Sequence, residues 1–321
     1  MEVGLFFDLR NPPAWRVEDT RLYGFTLEMI QEVERLGGHS IWVTEHHMFE
    51  DGYLPQPLTF LAAAAARTKR IRLGTAILLP ALRLAPQIAE EAAIVDIISG
   101  GRLEIGLGAG YRVPEYDLFN ADFANRFKTN DLRAKELRQI WAEKKVTPQP
   151  VQARLPLWMG YQTAKGAKRA GRMGERLLCP NGALWEPYRE GLVEGGHDPA
   201  IGHMGGLIQG WVTDDPDADW QVIKKHLAYQ TDTYKRYGVE GTGNPPPPPA
   251  DVEKFRNASA TDGMAAFLLA GPEEAAKRIK AYVGDAPVKH IHMWASIAGM
   301  PEKMCMKHIE MVLTKLAPLL K

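Results

Sequence analysis

The chain has 321 residues, 45% hydrophobic and 24% charged, which describes a foldable globular protein with a real core rather than a disordered one. Lys plus Arg and Asp plus Glu number 39 each, so no net field draws it to nucleic acid or to an anionic lipid surface, and a small-molecule partner is expected. Two cysteines, Cys179 and Cys305, are too few for a disulfide framework, no run of about 18 apolar residues is available to span a bilayer, and the N-terminus lacks the basic start of a signal peptide. The expected location is the cytoplasm.

Strand-like and helix-like segments alternate from the first residues, the pattern of βα units. Val3 to Phe7 reads as strand one and Leu22 to Leu36 as an amphipathic helix closed by Gly37-Gly38. Ser40 to Thr44 is strand two, followed by a loop through Pro55 and Pro57 and a helix holding the run Ala62 to Ala66. Ile71 to Leu79 is strand three, Pro86 to Ile98 its helix, and Arg102 to Leu107 strand four. Then come a helix over 126–142, strand five over 155–159, a basic helix over 164–173, strand six over 176–179 and strand seven over 206–213. Trp220 to Tyr237 has helical spacing. The five prolines Pro245 to Pro249 donate no backbone hydrogen bonds, so about 238–262 reads as an insertion before the last strand. A helix over 273–282, strand eight over 288–294 and a closing helix over 301–316 complete the count. The expected fold class is α/β, one (β/α)8 TIM barrel over 1–321. The small alanine side chains at 62–66 permit close helix approach and suggest a dimer contact, although tight packing on the chain's own barrel reads the same way.

Catalytic groups of such barrels collect at the C-terminal strand ends. Strand two ends in Glu45-His46-His47, and strand alternation separates His46 from its two neighbours. His46 is thus the candidate general acid/base, since an imidazole changes protonation near neutrality, with Glu45 and His47 supporting it from behind. The plain alternative is three polar side chains capping a strand. A metal is not expected, because adjacent histidines diverge in extended backbone. The same-face pair His290 and His292 begins strand eight at the non-catalytic end, without a carboxylate cluster. Gly106 to Gly110 is no dinucleotide fingerprint, since Tyr111 stands where the third glycine belongs.

The segments WVTEHH, GTAILLP and SGGRLEIGLGAGY at successive strand ends, then LPLWMGYQTAKGAKRAGRMG and LLAGPEEAAKRIK, together resemble the bacterial-luciferase-like flavin-dependent oxidoreductases. The likeness covers nearly the whole chain apart from about 186–260. It implies a (β/α)8 barrel with a flavin or deazaflavin at its mouth, and His46, matching the first histidine of the family's Glu-His-His segment, beside the reactive edge of the ring. It also implies flavin contacts at Thr75, Ala76, Ala109 and Gly110.

The turn Gly160-Tyr161-Gln162-Thr163 leads into a helix whose N-terminus suits the cofactor phosphate, with Lys165 or Arg126 as a charge. Where luciferases carry an arginine after strand four, this chain has Ala109. Phe7, Asp8, Tyr111, Arg112 and Trp294 are expected around the substrate. The expected function is a monooxygenase using dioxygen and FMN reduced by a separate flavin reductase to oxidise a small organic molecule, as a homodimer or a heterodimer with a homologue. Hydride transfer with a deazaflavin is the alternative, and a non-catalytic flavin-binding protein a further one.

Overall fold

A computed structural model of the chain describes residues 1–258 and 267–321. Eight parallel strands close into a barrel: β1 (Glu2–Phe7), β2 (Ser40–Val43), β3 (Arg72–Leu78), β4 (Leu103–Leu107), β5 (Leu157–Met159), β6 (Arg176–Leu178), β7 (Met204–Ile208) and β10 (Val288–Trp294), with β10 paired to β1 and β7. Around it run α1 (Asp19–Arg35), α2 (Pro57–Arg67), α3 (Ala85–Ser99), α4 (Val113–Leu118), α5 (Arg126–Ala142), α6 (Ala164–Arg172), α7 (Trp185–Glu194), α8 (Pro216–Val239), α9 (Val252–Asn257), α10 (Pro272–Val283) and α11 (Glu302–Met311). The (β/α)8 architecture is as expected from the alternating pattern.

One expected strand is two. The apolar run at 206–213 breaks at Gln209, so that β7 stays in the barrel while β8 (Gly210–Val212) pairs in parallel with β9 (Leu268–Ala270) outside it. The expected insertion is partly helical: α8 runs to Val239, 240–251 is irregular, α9 follows, and 259–262 lies outside the described residues. The irregular stretch is tied to α8, where Lys235 Nζ donates to the Pro248 carbonyl at 2.9 Å and Ala250 N to Asp232 Oδ1 at 2.6 Å.

The barrel interior is filled by pairing large side chains with glycine. A Cβ on Gly74 would lie 2.3 Å from the Trp42 ring, and one on Gly205 would lie 2.4 Å from His290. Trp42 and His290 stack face to face at 5.1 Å, and His292 stacks on the same indole. Burial, reinforced for His290 by nearby His39 and His203, holds both imidazoles well below the ordinary histidine range, so they are neutral packing groups. At the N-terminal end of the barrel, Glu104 accepts from Arg72, Arg176 and the Trp158 indole. Among the described residues no group of three or more His, Cys, Asp or Glu side chains is placed to hold a metal, and no helix is long and apolar enough to cross a membrane.

Candidate active site

β2 ends at Val43, so strand parity no longer governs Glu45, His46 and His47. What separates them is hydrogen bonding. Glu45 Oε2 accepts the Leu79 backbone N–H at 2.7 Å, while its Oε1 takes Arg83 at 2.7 Å and lies 2.9 Å from His47 Nε2. Glu45 and His47 therefore form one buried unit that anchors the end of β3. His46 lines a cavity of about 500 Å³ at the C-terminal mouth of the barrel, which Glu45 also borders and His47 does not reach.

A residue that sequence reasoning missed fixes the His46 ring. Glu115 Oε1 accepts the His47 backbone N–H at 2.8 Å and lies 2.9 Å from His46 Nδ1. Because this oxygen already serves as an acceptor, it favours a proton on Nδ1, which leaves the Nε2 lone pair for the cavity. Nε2 has no hydrogen-bond partner among the described residues. Glu115 is fully buried on α4, a short helix that begins at Val113-Pro114. Proline at the first turn followed by an acidic residue is a helix-start signal, and it was available in the sequence. Aromatic rings wall the imidazole: Phe49 stacks on it at 4.6 Å, and Tyr53, Tyr111 and Tyr234 meet it at 4.8, 5.2 and 6.1 Å.

The other expected flavin contacts fall on two sides of the wall. Thr75 is fully buried and does not reach the cavity; its Oγ1 donates to the Gly106 carbonyl at 2.8 Å and accepts the Gly106 N–H at 2.9 Å. There the β3–β4 register shifts, so β3 carries one extra residue and bulges. The bulged residues Ala76 and Ile77, joined by a cis peptide bond, form the floor shared by the 500 Å³ lobe and a second lobe of about 290 Å³. Gly110, with φ +64°, lines the larger lobe, whereas Ala109 lies behind it with its carbonyl accepting from Tyr116.

Gly160 and Gln162 line the smaller lobe together with Pro180, Arg278 and Tyr282. Gln162 bridges to β6, donating to the Leu178 carbonyl and accepting from Cys179 Sγ. Thr163 caps α6 by accepting the Gly166 N–H at 3.2 Å, so the helix begins where the spacing requires. Tyr161 points away, its hydroxyl bound by Asn130 and Asp131 of α5. Arg126 lies over Phe123 and Phe127 and lines neither lobe.

Of the residues expected around the substrate, Tyr111 and Trp294 line the larger lobe. Phe7 does not. It packs in the core, and Phe6, one position earlier in β1, takes the cavity wall. Arg112 is a strap rather than a wall: it pairs with Glu240 at 2.6 Å, donates to the His47 carbonyl and lies over the Tyr237 ring at 4.5 Å. Asp8 lies outside the lobe in a buried charge cluster. Arg10 donates to Asp51 at 2.6 Å and to Thr233 of α8 at 2.5 Å, and sits over the rings of Tyr53, Tyr229 and Tyr234. Among the described residues Asp8 makes no hydrogen bond of ordinary geometry with either carboxylate oxygen, and burial raises its pKa to about 7 against the opposing pull of Arg10.

The largest contribution missed from the sequence is α8. Leu227, Gln230, Thr231, Tyr234, Lys235 and Gly238 form one helical stripe, and all six line the lobe that holds His46. In sequence this periodicity reads only as core packing.

A sequence model of the family described as luciferase-like monooxygenase matches residues 1–287. An F420-dependent glucose-6-phosphate dehydrogenase of Amycolatopsis mediterranei is 26% identical over 300 residues, covering 83% of this chain and 86% of that protein. Monooxygenase RslO1 from Streptomyces bottropensis has a similar structure, with TM-score 0.80 and 23% identity over 99% of both chains. So has the oxygenating constituent of 3,6-diketocamphane monooxygenase from Pseudomonas putida, described as a type II Baeyer-Villiger monooxygenase in complex with FMN, with TM-score 0.76 and 17% identity over 100% of this chain and 99% of that one. With the family pattern running through nearly all of the barrel, the chain belongs to the luciferase-like monooxygenase family.

Proposed function

We propose that this chain is the oxygenase component of a flavin-dependent monooxygenase, which takes reduced FMN from a separate reductase and uses dioxygen to oxidise a small organic substrate. The observation that carries the reading is His46, oriented by Glu115, on the wall of an aromatic-lined cavity whose floor is the Ala76–Ile77 bulge. The residues fit a flat ring. Side chains on Gly108 and Gly160 would collide with Ile77, so the strand ends beside the floor stay thin, and the two lobes meet over it. Reduced flavin bound there supplies the two electrons with which one atom of dioxygen enters the substrate and the other leaves as water. His46 Nε2 would take and return a proton on the cavity side, Glu115 holds the imidazole orientation, and Phe49, Tyr53, Tyr111 and Tyr234 would keep water from it.

FMN is favoured over a deazaflavin by the state of α6, whose N-terminus would meet the cofactor phosphate. A deazaflavin's acidic tail calls for free cations beyond that turn. Here Lys168 pairs with Glu190 and Glu194, Arg169 with Asp131, and Arg172 with Glu194. The similarity to the Amycolatopsis dehydrogenase over most of both chains supports hydride transfer with a deazaflavin as the second reading. Among the described residues, the wall around His46 has one lysine for that dehydrogenase's phosphosugar substrate, Lys235, and that already donates to Pro248. The test is turnover with chemically reduced FMN and dioxygen against turnover with reduced deazaflavin under argon. Turnover that needs the deazaflavin and ignores oxygen overturns the FMN reading, a His46→Asn variant with unchanged turnover removes His46 from the reaction, and flavin binding without turnover under either condition would favour a flavin carrier.

The protein is further proposed to be a cytoplasmic dimer. Ile94, Ile97 and Ile98 on α3 are 41–48% exposed, beside the exposed Ala63 and Ala66 of α2, which gives an apolar two-helix face that a second copy would cover.

A further inference from the structure

We propose that the N-terminal end of the barrel carries a second binding site, which takes a phosphate dianion, either free or as the phosphate group of a small metabolite. The site lies at the opposite end from His46 and does not rest on the flavin reading. The segments that lead into β5, β6 and β7 converge there: Arg154, the stretch Gly174 to Arg176, and His197 line one cleft of about 430 Å³ together with Arg138 of α5.

Charge is the first argument. Four guanidinium groups share two buried carboxylates, since Arg72 and Arg176 meet Glu104 while Arg138 and Arg154 meet Glu175. Two positive charges in this cluster are thus left uncompensated, and among the described residues Glu175 is the only carboxylate that borders the cleft. Its oxygens are already occupied, Oε1 by Arg138 Nε at 2.6 Å and Arg154 Nη2 at 3.2 Å, and Oε2 by Arg138 Nη2 at 2.5 Å. The positive surroundings also act on His203, which burial and then Arg176 hold down at about 4.

Open donors are the second. The Arg154 side chain is 64% exposed and spends only Nη2, which leaves Nε and Nη1. Arg176 spends Nη1 on Glu104 at 3.2 Å, its guanidinium held over the Trp158 ring at 5.1 Å, and keeps Nε and Nη2. Arg138 is framework, because its Nη1 also donates to the Leu155 carbonyl. The half-buried ring of His197 makes no hydrogen bond among the described residues, and it is seated against bare backbone: a Cβ on Gly174 would lie 2.7 Å from it and one on Gly195 2.8 Å. An imidazole carries an N–H in either protonation state. Two planar guanidinium forks and an imidazole around one cleft suit the several acceptor oxygens of a phosphate, and the excess of two charges matches a dianion. Pro156, Leu157 and Ile201 on the same wall leave an apolar surface for the body of an ester.

The experiment is calorimetric titration of the flavin-free full-length protein at about pH 8, where phosphate is a dianion, with inorganic phosphate, phenyl phosphate and succinate in chloride of matched ionic strength. Arg154→Gln and His197→Gln are the variants, each with a melting curve to show that it folds. The expected result is saturable phosphate binding that weakens roughly tenfold or more in Arg154→Gln and several-fold in His197→Gln, with FMN affinity unchanged in both. Tighter binding of phenyl phosphate assigns the site to an ester, and equal binding assigns it to the free ion. Absence of saturable binding, binding that both variants retain, succinate bound as tightly as phosphate, or displacement of phosphate by FMN, which would put it at the N-terminus of α6, overturns the proposal.

Discussion

Glu115 and His46, 69 residues apart, meet at 2.9 Å, and the same carboxylate oxygen holds the backbone N–H of His47. One buried group thus sets both the ring orientation and the loop that carries it. Replacing Glu115 by Gln keeps the shape and an acceptor oxygen, so the fold should survive with turnover lowered about tenfold or more. Glu115→Ala should also lower the melting temperature, since it strands the His47 N–H. Removing the imidazole with His46→Gln should cost roughly 100-fold or more in turnover while FMN affinity changes little, which stopped-flow and equilibrium titration would resolve.

Asp8 makes a pH prediction with a definite sign. Its carboxyl has pKa 3.8 when exposed and about 7 when folded, mainly through burial. Between those values the unfolded chain has released the proton and the native chain keeps it, so this group lowers stability as pH rises through that window. Above pH 7 the accumulated cost is on the order of 4 kcal/mol. Asp8→Asn removes it. Urea unfolding at several pH values should show the variant gaining on the wild type from about pH 4 upward and levelling off above about pH 7; a constant difference would refute the assignment.

Arg10 and Asp51 are both fully buried, and Arg10 also grips Thr233 on α8. Truncating one partner leaves the other charge desolvated. Arg10→Met should destabilise the protein by about 3–5 kcal/mol. The loosened α8 should raise KM for the organic substrate more than it lowers kcat.

The apolar face of α3 predicts the assembly state. Ile94→Glu combined with Ile98→Glu should convert a dimer to a monomer in sedimentation velocity while far-UV circular dichroism is unchanged. A wild type that sediments as a monomer refutes the interface.

The barrel was legible because its strands are short β-branched and leucine-rich runs between glycine and proline breaks, and the resemblance at the strand ends pointed to His46. Facing directions were harder. Phe6 and Phe7 are equally apolar, and only the closed register of β1 against β2 and β10 decides that Phe6 looks inward. Thr75 was implied as a ligand contact by the resemblance, and its hydroxyl instead bonds Gly106 of β4, a partner that a reading of β3 alone does not contain. Glu115 lies in a six-residue helix with little periodicity, and its meaning depends on a loop far away in sequence. The run at 206–213 looked like one strand because the break at Gln209 follows from a pairing with β9, almost sixty residues further on.

The fastenings of α8 have one more implication. Arg10 holds Thr233, Arg112 holds Glu240 and Arg236 holds Glu50, all through residues outside the stripe that faces His46. Anchorage and recognition therefore overlap only at Gln230, which holds the Ala298 N–H, and Tyr234, which bonds Tyr53. Point changes at 227 or 231 would retune which molecules are accepted without breaking any of these ties, and the imidazole and its carboxylate, carried by the barrel rim, would be untouched. Such a division lets selectivity drift among descendants of one scaffold while the reaction at its centre is inherited intact.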